Sequence, residues 1–280
     1  MNIHDIATAH ASATARPFLK YAGSKRRMLP SLLPLLPRGD RLVEPFVGGG
    51  SVFLASDFPS FLLADANPDL IELYAVVRND LSSLIQRLRT LFVDSNRSVD
   101  AYIALRSTFN ETHDSLEKAS LFIYLNRFGF NGLCRYNRSG RFNVPYGRPT
   151  QVPSLPIAQL VASSERLQRA ELKCSDFATV MKSAREGDIV YCDPPYVDQD
   201  HAKSFAGYVR DGFDVGRHEE LVDVARFLTS KGIPVVVSNH DSVLARELYR
   251  HATVHTVQVQ RTISARTASR VKAAELIAVF

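Results

Sequence analysis

The tetrapeptide Asp193-Pro194-Pro195-Tyr196 brings a carboxylate, two rigid links and an aromatic ring together in four residues. That combination suits one chemical problem. The exocyclic amine of adenine is nearly planar, with its lone pair delocalised into the ring. A carboxylate at 193 can accept one N–H and the backbone carbonyl of Pro194 the other, while proline adds stiffness and no competing donor. Holding both hydrogens favours a pyramidal nitrogen and aims its lone pair at a methyl sulfonium. Tyr196 can stack on the base. The acceleration then comes from orientation and electrostatics. Read without its neighbours, the same tetrapeptide has a mere Pro-Pro turn as its less favoured alternative.

A second constellation is Glu44-Pro-Phe-Val-Gly-Gly-Gly-Ser51. Gly48 and Gly50 at the end of a strand let the backbone turn sharply and approach a ligand closely. Asp65 follows fifteen residues after Gly50, at the end of the next apolar run, where a carboxylate can accept both hydroxyls of a ribose. A dinucleotide fingerprint would need a third glycine at position 53, which is Phe, and no Gly-Lys-Ser/Thr phosphate cradle follows. A tight strand–helix connection accounts for the glycines equally well when they are taken alone. Near the start, the segment 18–25 reads Phe-Leu-Lys-Tyr-Ala-Gly-Ser-Lys. Its Lys25 can meet a cofactor carboxylate, and Lys20 is a candidate for DNA contact.

The third constellation runs from 125 to 148, where aromatics, asparagines and arginines alternate around two glycines. Arginine can grip guanine O6 and N7 in the major groove, and asparagine can pair with adenine or bond phosphate. Phe130 or Leu133 can wedge into the gap left by an extruded base. Between 118 and 164 there is no Asp or Glu, while Lys118, Arg127, Arg135, Arg138, Arg141 and Arg148 all fall inside. This local field suits a polyphosphate better than the overall net charge of +5 would indicate.

The elements that must position these residues alternate between strand-like and helical patterns, which predicts an α/β fold. Strands are expected at 41–46, 61–64, 188–192 and 233–238, with an antiparallel pair at 253–263 and 275–280 on one edge. Asn67 and Pro68 are placed to open a helix. Residues 81–92, 99–109 and 116–127 have helical spacing, 136–142 reads as a hairpin turning at Ser139-Gly140, and prolines at 145, 149, 153 and 156 mark an exit. The expected division is therefore a loose tail at 1–16, a catalytic domain of 17–80 and 157–280, and an inserted module at 81–156.

The chain has 280 residues, 45% hydrophobic and 22% charged, as is ordinary for a globular protein with one main core and a smaller module. No stretch approaches the ~18 apolar residues a membrane helix needs. Cys134, Cys174 and Cys192 are far apart, which argues against a zinc site or a disulfide framework and for a reducing cytosol, each packing as a small buried hydrophobe.

Taken together, the pieces FLKYAGSK (18–25), LVEPFVGGGSVFL (42–54), LNRFGFNGLCRYNRSGRFNVPYGR (125–148), VYCDPPY (190–196) and PVVVSNHD (234–241) resemble the Dam family of DNA adenine-N6 methyltransferases, in the α-group motif order, over nearly the whole chain from residue 17. The resemblance implies a Rossmann-like S-adenosylmethionine-dependent methyltransferase sheet with an inserted helical target-recognition domain. It implies S-adenosylmethionine as methyl donor, S-adenosylhomocysteine as product and no metal. Tyr21, Lys25, Phe46, Gly48, Gly50, Asp65, Asp176, Phe177 and Asp193 are expected at the cofactor, and Asp193, Pro194, Pro195 and Tyr196 at the flipped adenine. Lys20, Phe130, Asn131, Leu133 and Arg135 match positions that read or intercalate in DNA, and Arg106, Arg127, Asn137 and Arg148 match phosphate contacts. The implied target is GATC in double-stranded DNA, in the cytoplasm and at the nucleoid, with no membrane and no obligate protein partner. Two rings depart from the family pattern: Tyr21 stands where many relatives carry Trp, and Phe130 where Tyr is common. The region 266–270 lacks glycines some relatives show, and residues 198–217, rich in Asp and Gly, suit a lid that orders with DNA.

Methylation of cytosine N4 poses the same geometric problem, though it goes more often with Ser in place of Asp193. Modification of RNA or of a glutamine side chain goes with Asn there. A DNA-binding protein with a relic cofactor pocket is the rival from another class, and it leaves unexplained why every residue the chemistry needs is present.

Overall fold

Short apolar runs bounded by turns supply a central sheet. In the computed structural model, which describes residues 16–21, 23, 25–197, 213–260 and 272–280, seven strands lie in the order β3-β2-β1-β4-β5-β7-β6. They are β1 (Arg41–Glu44), β2 (Ser60–Asp65), β3 (Ala170–Cys174), β4 (Asp188–Cys192), β5 (Val235–His240), β6 (Thr253–Gln260) and β7 (Lys272–Val279). Strand β1 is parallel to β2 and β4, and β4 is parallel to β5, whereas β7 runs antiparallel to both β5 and β6. The tail loop at 1–15, the loop at 266–270 and most of the expected lid, 198–212, lie outside the described residues.

Burial explains which strands were readable. All five residues of β4 are buried, as a strand paired on both edges and covered on both faces must be. That burial includes Asp188, which is tolerated because Arg41 grips it through two bonds of 2.9 and 2.7 Å at the start of the β1–β4 register. Strand β3 was not expected from sequence. It reads Ala-Glu-Leu-Lys-Cys and buries only its first residue, so neither an apolar run nor an inward alternation announces it. Its Cys174 is exposed, against the expectation of a buried cysteine; Cys192 is buried and Cys134 lies between.

By packing, the chain divides into two compact units. One comprises Lys25–Val47, Ser56–Ala66 and Lys173–Phe280, and holds most of the sheet. Its core gathers Val43, Leu62, Val190, Val235, Val237 and Leu276 from the strands with Phe177 and Met181 of α8 (Phe177–Lys182) and Leu221, Ala225 and Leu228 of α9 (Val215–Ser230). Each of these side chains larger than alanine stabilises the fold by about 1.5–3 kcal/mol when fully buried. Among the described residues this unit also carries two short helices, α1 (Leu29–Leu32) and α10 (Val243–Leu248).

The other unit comprises the described residues through Ser24, Gly48–Ala55 and Asn67–Leu172. It is helical: α2 (Ser51–Ala55), α3 (Pro68–Asn79), α4 (Leu81–Leu91), α5 (Val99–Glu111), α6 (Ser115–Phe128) and α7 (Ile157–Leu167). As the sequence indicates, Asn67 caps α3 by accepting the Asp69 N–H at 3.1 Å, and Pro68 takes the first turn. Helix α6 is buried almost throughout, and Tyr124 and Phe128 on it stack at 4.3 Å between ring centroids. The turn at 136–142 closes through a Tyr136–Phe142 bridge, with Gly140 at φ +69° where a side chain would be strained.

Candidate active site

Strand order reverses between β1 and β4, and in an open α/β sheet ligands bind outside the carboxyl ends of the strands at such a point. The residues singled out in the sheet-bearing unit cluster at those ends. Phe46 follows β1, Asp65 closes β2, Asp176 and Phe177 follow β3, and Asp193 follows β4. The ends of β2 and β3 are tied together, the Ser175 N–H donating to the Asp65 carbonyl at 3.2 Å.

Asp193 is held from two sides. The Ser238 hydroxyl of β5 donates to its Oδ1 at 3.1 Å, and the Lys25 ammonium lies 2.9 Å from the same oxygen. Ser238 is itself held by the buried Tyr191 hydroxyl at 2.7 Å. Burial raises the Asp193 carboxyl above the usual carboxylate range, with Lys25 and Ser238 acting against that rise. Lys25 is only 5% exposed and also meets the Tyr196 hydroxyl at 2.9 Å and Glu275 of β7 at 3.6 Å. Burial alone would lower its ammonium, yet Asp193, Tyr196 and Glu275 hold it above its ordinary range, so it stays charged. The Tyr196 hydroxyl donates to Glu275, whose two oxygens are 2.8 and 2.9 Å away, while the residue remains 37% exposed. Lys25, expected at a cofactor carboxylate, therefore sits in a carboxylate cluster of the protein's own. Pro194 is buried and Pro195 exposed, the latter backed by His218 of α9.

Beside this cluster the unit presents an aromatic group. Phe46 and Phe177 stack at 5.2 Å, and Phe213 meets both edge-on or tilted. Asp176 caps α8 through the Ala178 N–H at 2.9 Å, and its other oxygen is ion-paired to Arg217, whose guanidinium lies 4.4 Å from the Phe177 ring centre. An acid at the end of β2 and flat apolar rings after β1 and at the start of α8 are residue types that would fit the nucleoside half of S-adenosylmethionine.

In the helical unit, the Tyr21 ring lies against the glycine turn. A Cβ on Gly49 would meet the Tyr21 Cβ at 2.8 Å, and one on Gly48 the ring at 3.1 Å. Gly48 and Gly50 have φ of +46° and +70°, so this turn needs glycine on conformational grounds as well. The Tyr74 hydroxyl secures it by donating to the Gly48 carbonyl at 2.7 Å.

The same unit gathers four of the expected DNA-facing residues, Lys20, Phe130, Asn131 and Leu133, on two segments tied to one buried side chain, Asn126 of α6. Its amide donates to the Lys20 carbonyl at 2.6 Å and the Gly132 carbonyl at 3.1 Å, and accepts from the Lys20 N–H at 2.9 Å. Lys20 is thus laid against the turn carrying Phe130, Asn131 and Leu133. Phe130 is 49% exposed, and Asn131 takes a left-handed conformation at φ +54°. Arg135 is exposed, its guanidinium oriented by the Asn143 side chain at 2.8 Å. Arg148 is exposed at φ +51°. Three other expected DNA contacts are committed inside the unit: Arg127 bonds the Phe18 carbonyl, Arg106 the Val144 carbonyl at 2.9 Å, and the Asn137 side chain accepts from the Ser139 and Arg141 N–H groups.

The sequence reading passed over Ser238, Asn126, Phe213, Arg217 and Glu275. A lone acid in the apolar run Ala-Ala-Glu-Leu-Ile-Ala-Val-Phe and a polar Ser-Asn-His close to an apolar strand were the available signals for Glu275 and Ser238. Among the described residues no group of three or more His, Cys, Asp or Glu could hold a metal ion, and no helix is long and apolar enough to cross a membrane.

A family model described as D12 class N6 adenine-specific DNA methyltransferase matches residues 21–263. The chain belongs to this family. It is 43% identical over 265 residues to a DNA adenine methylase of Escherichia coli strain K12, covering 95% of each chain. A DNA adenine methylase of Vibrio cholerae is 41% identical over 266 residues, 95% of this chain and 96% of the relative, and one of Serratia marcescens 40%, covering 95% and 98%. This D12-class enzyme is therefore a Dam-type DNA adenine methyltransferase, with DNA as its substrate and S-adenosylmethionine use following from the family. Its seven-stranded mixed sheet agrees with a methyltransferase fold.

Proposed function

We propose that the enzyme methylates N6 of the adenine in GATC within duplex DNA after extruding that base, with Asp193, Pro194 and Tyr196 receiving it. The observation that carries this reading is the carboxylate of Asp193 at the carboxyl end of β4, beside the reversal of strand order and oriented by Ser238 and Lys25. Bound S-adenosylmethionine supplies an electrophilic methyl carbon on a sulfonium.

Everything else falls to the chain's own groups. Asp193 accepts one N–H of the amine and the Pro194 carbonyl the other, which turns the nitrogen lone pair toward the donor. The donor would supply the methyl carbon and leave as a neutral thioether, and the proton that the amine gives up would pass along its hydrogen bond to the Asp193 carboxylate and on to solvent. Tyr196 offers its partly exposed ring to the base face. Phe46, Asp65, Asp176 and Phe177, together with Tyr21, Gly48 and Gly50, serve the cofactor, and Lys25 orients Asp193. A base still stacked in the duplex cannot reach a carboxylate set into a strand end, which favours extrusion.

Lys20, Phe130, Asn131, Leu133 and Arg135 read or wedge the DNA, and 81–156 is its target-recognition domain. Arg106, Arg127 and Asn137 then support this surface chiefly by bracing it, with Arg148 on the phosphates. The GATC assignment is supported by the match of these residues to family reading positions, and a DNA substrate favours a cytoplasmic enzyme at the nucleoid. Sequencing a random DNA pool for methylated bases after treatment tests the reading. Methyl groups confined to the adenine of GATC are expected; a different motif, or methyl on cytosine N4, overturns it.

A further inference from the structure

Strand β7 carries one acid in an otherwise apolar face, Glu275, 6% exposed. A carboxylate is kept there only if it is paired, and its partners are functional ones. It accepts the Tyr196 hydroxyl on either oxygen and lies 3.6 Å from the Lys25 ammonium. The cluster holds one cation between two carboxylates, and the shorter ion pair, 2.9 Å, is the one to Asp193. That creates a conflict. Oδ1 of Asp193 already receives Lys25 and Ser238, so an amine engaging this carboxylate, even through Oδ2, meets a charge that the ammonium already neutralises.

We propose that Glu275 is a positioning residue for methyl transfer, holding the Lys25 ammonium when the amine engages Asp193 and fixing the Tyr196 ring through its hydroxyl. The inference rests on the assignment of Asp193 to the target amine. Its logic is electrostatic. A buried ammonium that loses its only carboxylate is left uncompensated, so with a single acid present Lys25 would compete with the substrate for Asp193. With Glu275 charged, the ammonium needs only a small displacement to exchange partners, and Tyr196, whose hydroxyl both groups touch and whose ring lies 4.5 Å below the ammonium, keeps its place throughout.

The test uses the full-length enzyme on a duplex that the wild type methylates. Glu275→Gln keeps the shape and removes the charge. Its single-turnover rate is expected to fall about tenfold, equivalent to roughly 1.4 kcal/mol, with Tm and cofactor Kd close to wild type. Glu275→Asp should recover part of the rate. In a Lys25→Met background, where no ammonium competes for Asp193, Glu275→Gln should cost less than about threefold, a coupling that a purely structural role would not produce. A Glu275→Gln enzyme at wild-type rate overturns the proposal, as does an equal cost in both backgrounds or a joint loss of Tm and rate that Glu275→Asp does not relieve. Asp193→Ala separates this from the parent reading. If that variant still turns over, the assignment of Asp193 fails; if it is inactive while Glu275→Gln is fully active, only the role of Glu275 fails.

Discussion

Asp193 shows how one side chain can be legible in type and illegible in state. Its place beside two prolines and a tyrosine marks it in the sequence as a candidate acceptor for an amine. That the carboxylate already has Ser238 and Lys25 as partners, and is raised by burial, depends on β5 and on a lysine far upstream. Replacing Asp193 by Ala should lower turnover by at least about 10²–10³-fold, the scale of removing one preorganised group from a transition state. Cofactor affinity measured by calorimetry should persist, because the residues proposed for the nucleoside lie on other strand ends; loss of both together would show that Asp193 acts on the cofactor. Arg135→Ala should relax preference at one base pair by ~1–3 kcal/mol, read from methylation rates on singly substituted sites. An unchanged profile would remove Arg135 from the reading set.

The turn carrying Phe130 to Leu133 depends on its neighbours for its shape. Asn126 bonds both Lys20 and Gly132, and Gly132 stands at φ +64° with the Lys20 side chain pressed against it. A methyl group there would lie 2.4 Å from the Lys20 Cβ, closer than any real contact, so the two strands of chain must part. Gly132→Ala combines left-handed strain with overpacking and should cost about 1–3 kcal/mol of stability. Displacing Lys20 and Phe130 together should also weaken specific DNA binding by roughly tenfold, measured as Kd on specific against random duplex. Equal weakening on both duplexes would mean that the turn contributes affinity but no reading.

Stability of the folded chain should be tied to pH through His218. The imidazole is 1% exposed, and burial pushes it down from the usual 6.5 to about 4, with the Pro195 backbone and Asp214 acting the other way. Between these values the unfolded chain binds a proton that the native chain excludes, so stability rises with pH across the window. The contribution is complete above about pH 6.5, is lost progressively toward pH 4, and the loss is already on the order of 2 kcal/mol at pH 5. Thermal melts at pH 7 and pH 5 should show a Tm drop that shrinks in His218→Gln. An identical drop in the variant would assign the pH dependence elsewhere.

Local chemistry made much of this protein readable before any folding was considered. Glycines forced into left-handed turns, an asparagine–proline helix start, apolar runs of strand length and a carboxylate between an apolar strand and two prolines carry their meaning in a few neighbouring residues. The edge strand β3 did not, since a half-exposed strand needs little apolar pattern, and nothing local distinguishes its five residues from a loop. Nor did the partnership of Lys25, Asp193, Tyr196 and Glu275, which joins positions up to 250 residues apart. Charges so distant meet only after chain entropy has been overcome by burial of the sheet, and their pairing is then enforced by the low dielectric around them. Sequence therefore specified which groups the enzyme owns, and tertiary packing decided which of them face one another.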